Sequence, residues 1–263
     1  MLGVVASPAH DIVFRLMQKK LKKAVKKKPV GNRGPAKAAS AKATGRGSGM
    51  RGANPDRVRL ILRKLDEAYP EANCALTHES PFQLLISTIL SAQCTDVRVN
   101  QVTQTLYQKY PNAKAFAYAS PAELQQDIRP TGFFRNKTKS IMGASKQIVE
   151  ELRGEVPRTM EELLKLPGVA RKTANVVLGT AFGIASGVVV DTHVLRVSRR
   201  LDLTKNTDPK KVEQDLIHIL PREKWILFSH QIIWHGRRVC HARKPKCLEC
   251  NLEPLCYSRD KTV

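Results

Sequence analysis

Leu166-Pro167-Gly168-Val169-Ala170-Arg171-Lys172-Thr173-Ala174-Asn175 joins one short helix to the next through a tight, glycine-bearing turn. Such a turn aims successive backbone N–H groups and the start of the second helix at one point, where donors and helix dipole suit a phosphate oxygen. Contacts of that kind hold a protein on a nucleic acid without reading its sequence. An ordinary turn between core helices is the competing reading. Outward from this segment the pattern is helical almost throughout. After Asn54-Pro55-Asp56, the apolar residues Val58, Ile61, Leu62 and Leu65 recur at three and four. Pro81–Leu90 reads as a buried helix, and further helices are predicted near 100–109, 121–128, 136–153, 160–165, 171–182, 192–201, 209–219 and 224–237. Pro, Gly and Asn-rich turns separate them. Gly187-Val188-Val189-Val190 has strand character but is too brief to change the class. The fold is predicted to be all-α.

The chain carries 45 Lys+Arg against 23 Asp+Glu, a net charge of +22. A surface this basic attracts polyanions, of which nucleic acids and anionic membranes are the usual ones. No apolar run reaches the roughly 18–20 residues that span a bilayer, which excludes a transmembrane protein. Residues 1–52 stand apart: 13 Lys/Arg accompany the single acid Asp11, so this segment holds +12 of the charge. It cannot bury enough apolar surface to offset its ordering entropy and is expected to be disordered, with a short helix over residues 9–28. A solvated tail and a non-specific DNA tether both fit it better than a targeting segment, for which residues 1–10 lack the charged and apolar regions.

Four cysteines crowd the C-terminus as Cys240-x6-Cys247-x2-Cys250-x5-Cys256. Soft, anionic thiolates in this number suit an iron–sulfur cluster or a zinc ion. The spacing leans towards iron–sulfur, because structural zinc sites usually split their ligands into two close pairs. Disulfides are the weakest reading for a chain expected in a reducing compartment. Cys74 and Cys94 are left over, as small apolar residues.

Lys172 falls in the first turn of a helix beside Arg171, where the helix dipole and a neighbouring cation both favour the neutral amine. A neutral amine is a nucleophile that forms Schiff bases with carbonyl carbons. A phosphate contact is the alternative. Asp191, in Val190-Asp191-Thr192-His193, follows an apolar run and starts a helix, so a helix cap and a catalytic carboxylate are both open readings.

The hairpin resembles the helix–hairpin–helix of the DNA base-excision glycosylases, usually written LPGVG, with Ala170 in place of the second glycine. A methyl group is tolerated there if φ stays negative. The likeness runs from near Asn54 to Cys256 and is to the endonuclease III branch. It implies that Lys172 and Asp191 are catalytic, the lysine attacking the sugar of a damaged nucleotide and the carboxylate assisting. Leu90-Ser91-Ala92-Gln93-Cys94-Thr95-Asp96 resembles the family's LSAQ segment, which makes Gln93 a residue inserted into the duplex. Thr131-Gly132-Phe133-Phe134 resembles its second intercalating loop, usually Gly-Leu-Tyr, which makes Phe133 an apolar wedge. By the same likeness Gly168, Ala170, Arg171 and Thr173 contact DNA at the hairpin, and Arg243, Lys244 and Lys246 do so beside the cysteines. Cys240, Cys247, Cys250 and Cys256 would hold a [4Fe–4S] cluster. The implied architecture is two helical lobes flanking a DNA-binding cleft, residues 75–185 as a six-helix lobe and 53–74 with 186–263 as the other. The implied protein is a cytoplasmic, monomeric glycosylase and AP lyase acting on duplex DNA with oxidised pyrimidines or abasic sites. A monofunctional mismatch glycosylase, a non-catalytic DNA-binding module and a zinc-stabilised DNA-binding protein are the alternatives.

Overall fold

The computed structural model describes residues 52–262. The expected disordered tail, with its helix over residues 9–28, lies outside the described residues but for Gly52. Asn54 opens α1 (Pro55–Ala68): its Oδ1 accepts from the Asp56 N–H at 2.9 Å, and Pro55 takes a position whose N–H would have had no partner. Ser80 caps α2 (Pro81–Leu90), in which every residue from Leu84 to Leu90 is buried. A helix buried all round must be central, and α2 is. Around it lie α3 (Asp96–Lys109), α4 (Ala113–Ala117), α5 (Pro121–Asp127), α6 (Phe134–Glu151), α7 (Met160–Leu163) and α8 (Arg171–Phe182). Their shared core includes Leu84, Leu85, Leu90, Phe116, Leu124, Ile141, Ile148, Leu163 and Leu178.

A second core forms where α1 meets α9 (Thr192–Arg200), α10 (Pro209–Ile219) and α11 (Trp225–Arg238), with Ile61, Leu65, Val194, Val197, Leu216, Phe228, Ile232 and Leu252 inside. Burying a side chain such as Leu65 is worth about 1.5–3 kcal/mol, which offsets the slowly growing entropy of closing so long a loop. Polar bonds fix the seam. Asp66 of α1 accepts from Lys224 Nζ at 2.8 Å and Gln231 Nε2 at 3.0 Å. The fully buried Arg57 donates to the carbonyls of Leu201 and Leu255.

No strand occurs among the described residues, so the all-α expectation holds. The Val189 N–H goes to Ser229 Oγ at 3.1 Å, not to a neighbouring strand. Some boundaries differ from the sequence reading. α3 begins at Asp96 because Thr95 caps it. α6 begins at Phe134 because Phe133 adopts the left-handed conformation immediately before it. α4, too short to show a period, was not predicted; Asn112 caps it. No helix among the described residues is long and apolar enough to cross a membrane.

Candidate active site

Lys172 and Asp191 line one cavity between the two cores, together with Asn73, Thr88, Ser91, Asp96, His230, Trp234 and Arg237. The lysine rides on the first turn of α8 and is exposed; the carboxylate stands at the start of α9 and is half-buried. Asp191 Oδ1 accepts from the N–H groups of His193 and Val194, both at 2.8 Å. Both cap bonds fall on one oxygen, so Oδ2 takes no part in the cap. The cap reading and the catalytic reading of Asp191 are therefore compatible. Across the cavity, Arg237 of α11 pairs with Asp96 of α3 at 2.6 Å.

The hairpin has the geometry its residues demand. Gly168 lies at φ +77°, and a Cβ there would overlap Ser140 of α6. Only glycine meets both conditions. Ala170 lies at φ −96°, where a methyl group carries no penalty. No side chain caps α8, so its first N–H groups face outward with the positive end of the helix dipole behind them. Arg171 turns away from this point: its Nε donates to Glu213 Oε2 at 2.7 Å, and Asn175 donates to the other oxygen at 2.8 Å. The cation beside Lys172 is thus already paired with a carboxylate from α10. Thr173 follows on the same turn, half-buried.

Gln93, Phe133 and Gly168 come together around a second, open cavity. Gln93 (φ 54°) and Phe133 (φ 48°) both take the left-handed conformation, uncommon away from glycine. Phe133 is 61% exposed, so a large apolar ring stands in water on a left-handed backbone.

At the C-terminus, Cys240, Cys247, Cys250 and Cys256 surround one cavity, and none is bridged. Arg200 donates to Cys240 Sγ at 3.2 Å, and the Thr262 N–H to Cys247 Sγ at 3.4 Å. His235 stands 3.6 Å from Cys250 Sγ through Nε2, its Nδ1 being engaged by Tyr69 Oη at 3.0 Å. Burial pushes the Cys250 thiol up to about 11, a shift that a bound cationic centre would reverse. Among the described residues, no three His, Cys, Asp or Glu side chains converge closely enough to hold a single metal ion. Four unbridged thiols around one cavity, with Arg200 donating to one of the sulfurs, are a donor set that suits a thiolate-bound metal centre. Arg243, Lys244 and Lys246 are exposed on the preceding loop, Lys246 pairing with Glu249 at 3.4 Å. Arg200 holds that loop through the carbonyls of His241 and Ala242.

Residues 86–222 match the model of the HhH-GPD superfamily base excision DNA repair proteins. The chain belongs to this superfamily. It is 60% identical over 201 residues to the endonuclease III of Synechocystis sp., a match covering 76% of this chain and 90% of that one. The endonuclease III of Bacillus subtilis is 46% identical over 209 residues, covering 79% of this chain and 95% of that one. Among solved structures, a trapped endonuclease III–DNA covalent intermediate superposes with a TM-score of 0.74 at 43% identity, covering 78% of this chain and 96% of that one. The HhH-GPD segment contains Lys172, Asp191, the hairpin and both exposed loops, and stops short of the four C-terminal cysteines.

Sequence reasoning missed Glu213, Asp96, Arg237, His235 and Lys137 as parts of these sites. Glu213 lies 42 positions from its partner Arg171, and no local pattern announces such a pair. Lys137 sits four residues after Phe133, but a lysine is almost always exposed, and nothing in the sequence signals that this one is not.

Proposed function

We propose that this chain is a bifunctional DNA glycosylase and AP lyase of base excision repair, acting on oxidised pyrimidines in duplex DNA. The observation that carries the proposal is the meeting of an amine and a carboxylate, Lys172 and Asp191, on one cavity between two helical cores. C1′ of a stacked nucleotide is out of reach, so the lesion is extruded into that cavity. Gln93 and Phe133 fill the space it leaves, and the uncapped N-terminus of α8 binds a phosphate. Asp191 accepts a proton from the Lys172 ammonium and passes it to the departing base, and the carboxylate so regenerated stabilises positive charge on the sugar. The free amine attacks C1′; the glycosidic bond breaks and its electron pair leaves with the base, which takes up a proton. Opening of the sugar gives an iminium at Lys172. That iminium acidifies C2′–H, and loss of the proton expels the 3′ phosphate by β-elimination. Water then releases the lysine.

Cys240, Cys247, Cys250 and Cys256 would hold a [4Fe–4S] cluster, and with it bound the loop carrying Arg243, Lys244 and Lys246 would be braced towards the phosphate backbone. The two cores support a division into lobes of residues 75–185 and of 53–74 with 186–263. The enzyme acts as a cytoplasmic monomer.

Borohydride trapping tests the reaction. With a duplex bearing one thymine glycol, the wild type should form a covalent adduct and Lys172→Ala none. An uncleaved strand and no adduct would favour a monofunctional relative; Lys172 itself speaks against that reading, since a Schiff base needs a primary amine.

A further inference from the structure

Lys137 is buried, with 4% of its surface exposed, in the first turn of α6. Its Nζ donates to the carbonyl of Leu90 at 2.8 Å and to that of Thr131 at 2.7 Å. Leu90 is the last residue of α2, just ahead of Gln93; Thr131 closes the turn just ahead of Phe133. One ammonium therefore ties down the roots of both loops. Burial pulls its pKa below the ordinary lysine value, and a lone buried charge is costly. An apolar residue would fill this space without that cost, but it could not bond two carbonyls from separate segments.

The rest of α6's first turns strengthens the point. Ser140, three residues on and so on the same helix face, is the side chain that Gly168 of the hairpin approaches too closely for any Cβ. Gly143, on the next turn, packs against Pro167 of the same hairpin. Gln93 and Phe133 are both held in the left-handed conformation, which persists only where the surroundings over-determine it. Lys137 is one of the residues lining the cavity that Gln93, Phe133 and Gly168 share.

We propose that Lys137 is a positioning residue that locks the Gln93 and Phe133 loops at one fixed spacing, so that both enter the duplex together when a lesion is extruded. The proposal rests on the reading of this chain as a glycosylase that inserts those two side chains. Lys137 touches no reacting atom. Its work is done in opening the stack, and a substrate with no stack to open should not need it.

The test compares two substrates with the full-length, metal-loaded protein: a duplex with one thymine glycol, and a single strand with one abasic site. Lys137→Met keeps the length and apolar stem and removes the donors. It should lower kcat/KM on the duplex on the order of 100-fold, the scale of a loss from displaced positioning groups, and leave strand cleavage of the single-stranded abasic site within about twofold of wild type. Lys137→Arg, which keeps donors to both carbonyls, should restore most of the duplex activity. Equal losses on both substrates would overturn the proposal, as would an unchanged rate on the duplex. If Lys137→Met does not fold, Lys137→Gln, with a single amide donor group, is read in the same two assays. Wild-type activity on both substrates is the control: its absence would refute the glycosylase reading itself, whereas its presence with an indifferent variant refutes only the role of Lys137.

Discussion

Asp191 is assigned two tasks, and two substitutions separate them. Its Oδ1 caps α9 through two N–H bonds of 2.8 Å, while the proposed chemistry needs a negative, proton-accepting carboxylate. Asparagine presents an equivalent carbonyl oxygen and ranks with aspartate as an N-cap; alanine presents none, at about 1 kcal/mol. Both substitutions also remove a charge that interacts favourably with the helix dipole, about 0.5 kcal/mol. Asp191→Asn should therefore cost about 0.5 kcal/mol and Asp191→Ala about 1.5 kcal/mol. For a folded unit of this size that corresponds to Tm shifts of roughly 1–2 °C and 3–6 °C. In single-turnover cleavage of a thymine glycol duplex, both variants should lose about 10²–10⁴-fold, the usual contribution of a positioned acid–base group. Scanning calorimetry and the cleavage assay on the same preparations make the comparison. Wild-type cleavage by Asp191→Asn would refute the catalytic assignment and leave Asp191 a cap. Equal Tm losses in the two variants would refute the cap.

Arg57→Met should leave the carbonyls of Leu201 and Leu255 unsatisfied in the interior. At about 1–3 kcal/mol for each orphaned group, the urea midpoint should fall clearly, and a midpoint equal to wild type would contradict the bonding described. Gly168→Ala forces a Cβ into φ +77° and onto Ser140; it should cost at least about 1–2 kcal/mol and weaken DNA binding in a fluorescence anisotropy titration. Adding Ser140→Gly should relieve the overlap but not the φ penalty, so full recovery would count against the strain argument. At Asp66, burial pushes the carboxyl up, but the bonds from Lys224 and Gln231 outweigh it and leave the pKa lowered. A lowered folded pKa adds stability above the unfolded value of about 3.9, lost as pH falls through the folded value. The Tm gap between wild type and Asp66→Asn should accordingly be full at neutral pH and close below about pH 4; a constant gap would show that the ionised pair contributes nothing. Cys247→Ser should abolish the brown visible absorbance expected of a [4Fe–4S] protein, and colourless wild-type protein reconstituted with iron and sulfide would reject the cluster.

Much of this protein is legible in its sequence because the deciding signals are local. Helical periods, the helix starts at Asn54 and Asp191 and the spacing of four cysteines each act within a turn or a short loop. The all-α class and the hairpin follow from them, whereas the pairing of Lys172 with Asp191 is implied only by the resemblance to the glycosylase family. Even the substitution at Ala170 could be judged from the sign of one backbone angle, and the structure has it negative. The tertiary structure alone decides which of these pieces meet. Arg171, a cation in the sequence, spends its Nε on Glu213. His235 fits between Tyr69 and Cys250, a contact that no spacing between those residues foretells. Lys137 is chemically indistinguishable in sequence from the exposed lysines around it, yet packing strips it of water and hands it two carbonyls from different loops. The physical reason is range. Backbone preferences and capping depend on the nearest few residues, whereas burial and partnership depend on which distant segments the two cores press together.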